Sequence, residues 1–304
     1  MKTILVLIRV KEHHKALLEQ SFPDARFLYA APKHATDEQL QAADVILGNP
    51  IPERLQGLSR LKLLQLHSAG SDPYDKEGIL PPGCTLHNAS GVYGLAVSEH
   101  MLALTLALTK KLHLYRDNQQ ESRWSDEGEV MAIEGLRILV IGAGDIGARY
   151  ARLCNALGAY TIGLRRTVTQ SQEGLNELHP MEKLDSLLPT ADLVAMALPA
   201  TNETNGLMNA RRFDLMRQGA LFINGGRGTT VDQDALLDAL QSGHLGGAAT
   251  DVTDPEPLPP EHPLWQQKNF ILTPHIAGLF HVPKTLDLLI DRCIQTLQTH
   301  WDSL

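Results

Sequence analysis

The sequence is poor in cysteine, in aromatic side chains and in long apolar runs. Its three cysteines, Cys84, Cys154 and Cys293, are scattered through 304 residues without metal-ligand spacing. That excludes a disulfide framework and a zinc module, leaves no expected metal site, and points to a reducing, cytoplasmic compartment. Positive charge is also short, with 27 Lys and Arg against 35 Asp and Glu. A net charge of -8 argues against a partner that is nucleic acid or an anionic membrane. The longest apolar run past the first strand, residues 101–109, falls well below the roughly 20 residues needed to cross a bilayer. Residues 1–10 turn apolar at once and meet Lys11-Glu12-His13-His14, too short for a signal peptide and suited to a first strand. Repeats and low-complexity tracts are missing too.

What is present is an ordinary globular composition, 43% hydrophobic and 20% charged, in a chain long enough for two domains. Apolar runs at residues 4–8, 26–29, 45–48, 61–66 and 85–87 read as strands, with helical patterns at 14–20 and 37–43 between them. Residues 95–115 predict one long helix with Val97, Met101, Leu104, Leu108 and Leu112 on one side, and 116–134 an irregular arm. From residue 137 the alternation restarts, with strands at 160–164, 193–198, 220–224, 246–252 and 270–273 and helices at 211–217 and 233–242. Residues 251–263, rich in proline and acid, are irregular, and a final helix at 284–300 is expected to return to the first domain. Strand–helix alternation predicts an α/β fold of two doubly wound parallel-sheet domains, 1–97 plus 279–304 and 98–278.

The second domain opens on a strand at 138–141, a turn Gly142-Ala143-Gly144-Asp145-Ile146-Gly147, and a helical pattern after it. This is the context in which G-x-G-x-x-G signals a dinucleotide rather than plain turn chemistry. Gly142 allows the tight turn, Gly144 lets backbone approach a pyrophosphate, and Gly147 lets helix pack on strand. The anion would rest on the N–H groups of the helix start at Asp145 and Ile146. No G-K-[ST] follows, so a triphosphate P-loop is not indicated. About twenty residues on, where NAD-type sites place an acid for the ribose 2′-OH, this chain has Arg165-Arg166-Thr167. An acid there would repel a 2′-phosphate, whereas two guanidiniums and a hydroxyl would hold one. NADP is therefore the expected cofactor, with NAD possible. The bland alternative is a pair of solvated arginines.

Polar groups also stand where other strands end. Leu66-His67-Ser68-Ala69-Gly70-Ser71-Asp72 is either a ligand loop or a plain turn, and Asn88-Ala89-Ser90-Gly91-Val92-Tyr93-Gly94 is a second glycine-punctuated loop. Asn224-Gly225-Gly226-Arg227-Gly228 sets an arginine among glycines, Asp254-Pro255-Glu256-Pro257 clamps a carboxylate between prolines, and Leu272-Thr273-Pro274-His275-Ile276-Ala277-Gly278 ends on a histidine. Singly, each has a dull reading as turn arginine, solvated acid or core histidine.

Together, in this order, they resemble the D-isomer-specific 2-hydroxyacid dehydrogenase family over nearly the whole chain. Ser68-Ala69-Gly70, Asn88, Val97-Ser98-Glu99-His100, the glycine motif, Leu198-Pro199 with Thr204, Asn224-x-x-Arg227-Gly228, Asp251-Val252, Pro255-Glu256-Pro257 and Pro274-His275-Ile276-Ala277-Gly278 carry the resemblance. It implies a flavodoxin-like substrate domain, a Rossmann cofactor domain and a cleft between them. It also implies Arg227, Glu256 and His275 as the catalytic set. Leu198, Pro199, Thr204, Asn224, Gly225, Gly226, Asp251, Ala277 and Gly278 would join the glycine motif and Arg165, Arg166 and Thr167 around the cofactor. Ser68, Ala69, Gly70 and Tyr93 would meet the substrate with Arg227 and His275, and His67, Tyr74, Phe280 and His281 would flank the pocket.

The residue types suit the chemistry. Reducing a 2-oxo acid needs a hydride at the carbonyl carbon and a proton at its oxygen, on a substrate that carries a carboxylate. His275 would supply the proton, Glu256 would orient the ring, and Arg227 would bind the carboxylate and the developing oxyanion. The arginine pair resembles the glyoxylate/hydroxypyruvate-reductase-like branch, and Glu256 speaks against the formate dehydrogenases, which carry glutamine there. Two other readings remain: a phosphoglycerate dehydrogenase-like enzyme, and a nucleotide-sensing binding module of the corepressor type. The family further implies a homodimer, with the 95–115 helix and the arm as contacts.

Overall fold

A computed structural model of the chain describes residues 1–168, 173–278 and 283–304. The chain divides into two compact units, Met1–Tyr93 with Phe280–Leu304, and Gly94–Leu279.

In the first unit the elements are β1 (Lys2–Val6), α1 (Glu12–Ser21), β2 (Ala25–Tyr29), α2 (Asp37–Ala42), β3 (Val45–Leu47), β4 (Leu63–Gln65) and β5 (Thr85–His87). The strands form one parallel sheet in the order β2-β1-β3-β4-β5. α2 begins where Thr36 accepts the Gln39 N–H while Gln39 bonds back to the Thr36 N–H, a reciprocal cap that satisfies two helix-end donors. Leu5, Ile46 and Leu64 on neighbouring strands are fully buried in one core cluster.

The second unit holds α3 (Gly94–Thr109), α4 (Leu112–Gln120), β6 (Arg137–Ile141), α5 (Asp145–Ala156), β7 (Tyr160–Arg165), β8 (Glu177–Pro180), α6 (Leu184–Leu187), β9 (Leu193–Met196), α7 (Ala210–Leu215), β10 (Leu221–Asn224), α8 (Gln233–Gln241), β11 (Gly247–Thr250) and β12 (Phe270–Leu272). Its seven strands are parallel in the order β12-β11-β10-β9-β6-β7-β8. The order runs one way from β6 to β8 and the other way from β9 to β12, so a switch point lies between the carboxyl ends of β6 and β9. Ile138–Ile141 and Leu193–Met196 are wholly buried, as expected of strands covered on both faces. α9 (Pro283–His300) packs in the first unit, where Thr296 donates to Gln65 at 2.7 Å.

Two expectations change. The single helix over 95–115 is two helices, broken where Lys111 takes φ 53. The lysine pair explains the break: the Lys110 ammonium donates to the Met131 carbonyl at 2.7 Å and the Lys111 ammonium to that of Glu127, so both side chains pull toward the arm. Beyond the break Leu112, assigned to the apolar face, is 54% exposed. Strand β8 had no sequence signal, because Glu177-Leu178-His179-Pro180 is a short, partly exposed edge strand ending in proline.

The three cysteines are free thiols. Burial pushes Cys154 and Cys293 up to about 12 and Cys84 up to about 11. Reactivity follows the thiolate. Titration of the native protein at pH 8 with an aromatic disulfide should therefore show at most one slowly reacting thiol, and all three after denaturation. Two fast thiols in the native state would contradict the packing.

Candidate active site

The glycine turn is held from behind by β7. The N–H groups of Gly142 and Ala143 both donate to the Leu164 carbonyl, at 2.9 and 2.8 Å. Gly142 has φ 94, and a Cβ there would lie 2.8 Å from the Ala197 carbonyl oxygen and from the Leu198 side chain. At Gly147 a Cβ would come within 2.2 Å of the Gly142 carbonyl oxygen. Gly144 differs from both: a Cβ would meet nothing within 4 Å, so open space lies over the turn. The first N–H groups of α5 have no partner inside the helix and point toward its N-terminal end. The Asp145 carboxylate is turned aside to Arg149 at 3.0 Å, which leaves the backbone for an anion. A dinucleotide pyrophosphate fits this cradle of donors and open space.

Leu198-Pro199 lies between the glycine turn and the β10 loop, because a Cβ on Gly226 would strike the Leu198 backbone at 2.6 Å. Thr204 closes the same segment, accepting the Thr201 N–H at 2.8 Å and donating to the Pro199 carbonyl at 2.7 Å. Arg165 ends β7, one residue past the Leu164 carbonyl that holds the turn, and Arg166 and Thr167 follow it exposed.

At β10, the buried Asn224 staples its own loop. Its amide donates to the Arg227 carbonyl at 3.0 Å and accepts the Gly226 N–H at 3.0 Å. Thr230 donates to the same Arg227 carbonyl at 2.5 Å. Gly225 meets Met101 of α3, and Gly228 packs so closely on Thr253 that no side chain fits there. This contact seats the arginine loop against the segment that leads to Glu256.

His275 and Glu256 meet. His275 Nδ1 lies 2.8 Å from Glu256 Oε2, and Glu256 Oε1 accepts the Thr253 N–H at 3.1 Å. Both side chains are part-exposed, at 48% and 39%. His275 takes φ 50, a left-handed conformation unusual outside glycine. Asp251, buried at 3% exposure, holds it there. Its carboxylate accepts the Thr273 hydroxyl at 2.6 Å and the N–H groups of Ile276 and Ala277 at 3.0 and 2.9 Å. The His275 N–H donates to the carbonyls of Asp251 at 2.8 Å and Thr273 at 3.0 Å. The Asp251 carboxylate, assigned from the sequence to the cofactor, is thus engaged in shaping the histidine loop, which also contains Ala277 and Gly278.

In the first unit Ser68 donates to the Gly70 carbonyl at 2.7 Å, folding the Ser68-Ala69-Gly70 loop on itself. Asn49 clamps it, donating to Ser68 at 3.0 Å and accepting the His67 N–H at 2.9 Å. Tyr93 is buried, and its hydroxyl donates to the His67 carbonyl. Phe280 and His281 lie outside the described residues. His13, His14 and Asp287 also gather in this unit. The His14 Nδ1 lone pair accepts the Lys11 N–H at 3.3 Å, so the proton sits on Nε2 and goes to Asp287 at 2.8 Å. The group clasps α1 to α9.

Sequence reasoning missed Asn49, Thr253 and Thr273 as supports and gave His100 no role. Their signals were slight: short polar residues beside strand ends, and one histidine inside a largely apolar helix.

The site's resemblances are extensive. The model for the D-isomer specific 2-hydroxyacid dehydrogenase NAD binding domain matches residues 102–277. A glyoxylate reductase of Thermofilum pendens is 33% identical over 238 residues, covering 74% of this chain and 68% of its own. The crystal structure of a D-isomer specific 2-hydroxyacid dehydrogenase family protein from Aeromonas salmonicida matches with TM-score 0.85 at 29% identity, over 99% of this chain and 96% of that one. An NADPH-dependent glyoxylate/hydroxypyruvate reductase from Sinorhizobium meliloti, solved with NADP and sulfate, gives TM-score 0.82 at 26% identity, over 100% and 96%.

Replacing two glycines separates packing from binding. Gly147→Ala should lower the melting temperature through its clash with the Gly142 carbonyl, whereas Gly144→Ala should melt like wild type yet bind NADP at least about tenfold more weakly, a cost of about 1.4 kcal/mol. Unchanged NADP affinity in Gly144→Ala, by calorimetry, would place the pyrophosphate elsewhere.

Proposed function

The chain belongs to the D-isomer specific 2-hydroxyacid dehydrogenase family, NAD(P)-dependent oxidoreductases acting on a CH–OH group, and on that premise we propose that it reduces a small 2-oxo acid of the glyoxylate or hydroxypyruvate kind to the D-2-hydroxy acid with NADPH. The observation that carries the reading is the 2.8 Å pair of His275 and Glu256 at the carboxyl end of the parallel sheet.

When bound, the nicotinamide supplies the hydride for the carbonyl carbon. His275 is the proton donor. Its Nδ1 is engaged by Glu256, so Nε2 is the nitrogen that gives the proton to the substrate oxygen in reduction and takes it back in oxidation. Glu256 keeps the ring oriented and balances the imidazolium charge, and Thr253 fixes its second oxygen. Arg227, on the loop stapled by Asn224, binds the substrate carboxylate and stabilises charge on the carbonyl oxygen. On this reading the Ser68-Ala69-Gly70 loop contributes to substrate binding, residues 1–97 with 279–304 are the substrate domain, and 98–278 are the cofactor domain.

NADPH preference rests on Arg165, Arg166 and Thr167 in place of an acid at the end of β7, and on the NADPH-dependent relative with that fold. A homodimer in the cytosol is part of the reading. Trp124 on the arm and Leu112 at the start of α4 are large apolar side chains open to solvent, as a subunit contact would require.

A panel of 2-oxo acids assayed with both cofactors tests the reading. Steady turnover is expected, with His275→Ala inactive but binding NADPH within about twofold of wild type. Undiminished kcat in His275→Ala would remove it as the acid, and no turnover of any 2-oxo acid by wild type would favour a nucleotide-sensing module.

Cofactor choice is tested separately. Wild type should favour NADPH over NADH in kcat/KM by at least about tenfold, as expected when charge-assisted hydrogen bonds to a phosphate are lost, and Arg165→Asp should abolish the preference. A wild-type preference for NADH would defeat the assignment.

A further inference from the structure

We infer that His100 is a positioning residue for the His275 acid, acting from α3 through the Thr273 hydroxyl and the Asp251 carboxylate. Proton accounting fixes the direction of this chain. The Thr273 Oγ1–H lies 2.6 Å from Asp251 Oδ1 and is spent on it. The same oxygen, 2.9 Å from His100 Nε2, can then only accept, so His100 carries its proton on Nε2 and donates. His100 Nε2 also lies 3.6 Å from Asp251 Oδ1, so the imidazole edge faces the carboxylate as well.

What this chain governs is the loop that bears the acid. His275 stands at φ 50, a left-handed conformation that is costly for a residue with a Cβ. A conformation of that kind persists only where its surroundings over-determine it. Here Thr273 is fixed before the histidine and Ile276 and Ala277 after it, all on one buried carboxylate. Without His100, the Thr273 hydroxyl loses the donor that sets its rotamer, and one of the three bonds holding the carboxylate weakens. A half-satisfied buried polar network loosens as a unit. The His275 ring would then lose its aim while the glycine turn stays untouched.

His100 is well placed for this. Its helix is fixed on α5, where Thr105 and Tyr150 share a buried hydrogen bond at 2.7 Å. Its neighbour Met101 packs on Gly225 of the arginine loop. One helix therefore supports both the arginine and the histidine loops.

The inference rests on the reading of His275 as the acid, and a double-mutant cycle on the full chain separates the two. His100→Ala and Thr273→Val should each lower kcat about tenfold, with NADPH affinity within twofold of wild type. Their combination should be no slower than the slower single variant, because both cut one chain. Thr273→Ser and His100→Gln, which keep a hydroxyl and an N–H donor, should recover most of the rate. The solvent deuterium isotope effect on kcat should rise in His100→Ala, since proton delivery becomes limiting. Wild-type kcat in both single variants, or losses that multiply in the double, would overturn the inference. If His100→Ala does not fold, equal kcat in Thr273→Val and Thr273→Ser overturns it alone. His275→Ala in the same assay tells the failures apart: undiminished kcat there sinks the acid itself, whereas a strongly impaired His275→Ala beside wild-type rates in the other two sinks only the role of His100.

Discussion

A buried carboxylate must find hydrogen-bond donors, and at Asp251 that requirement shapes the whole site. Leaving such a charge unpaired in the interior would cost several kcal/mol. The chain meets the demand with the Thr273 hydroxyl and two consecutive N–H groups, Ile276 and Ala277. Two successive N–H groups can converge on one anion only if the backbone before them turns sharply, and His275 at φ 50 is that turn. The unusual backbone at the histidine is thus the geometric consequence of satisfying a charge one strand away.

The same economy runs along the carboxyl edge of the sheet. Parallel strands deliver their ends to one side, so the glycine turn after β6, Leu198 after β9, Arg227 after β10, Asp251 after β11 and His275 after β12 arrive there in strand order. Close packing then sets their spacing. Gly142 and Gly226 admit the Leu198 segment between them, and Gly228 admits Thr253, because neither contact leaves room for a Cβ. Glycine at these positions lets backbone meet backbone where chemistry needs adjacent loops.

Much of this was legible in advance. Alternating strand and helix patterns gave the parallel architecture, and strands such as Thr85–His87 matched to the residue. The glycine motif was readable because its spacing encodes a turn that any chain must make in the same way. Asp251 was not legible in the same sense. The sequence marks it as an acid at a strand end, and only coordinates show its oxygens committed to residues 25 and 26 positions further on. The helix break at Lys111 was hidden too, since helical periodicity continues through it and the cause, ammonium groups reaching the arm's carbonyls, is tertiary.

What the sequence by itself determined is the set of local commitments: which runs bury both faces, where the chain must turn, and which functional groups stand at strand ends. These follow from steric and hydrophobic rules acting over a few residues. Which groups share a hydrogen bond was decided only by the tertiary structure, because crossovers bring together atoms from α3, β11 and β12 whose separation along the chain carries no signal. His100, Thr273 and Asp251 are 173 and 22 positions apart in successive pairs and bond within 3 Å of one another in turn, a juxtaposition that exists only once the sheet and the helix have packed.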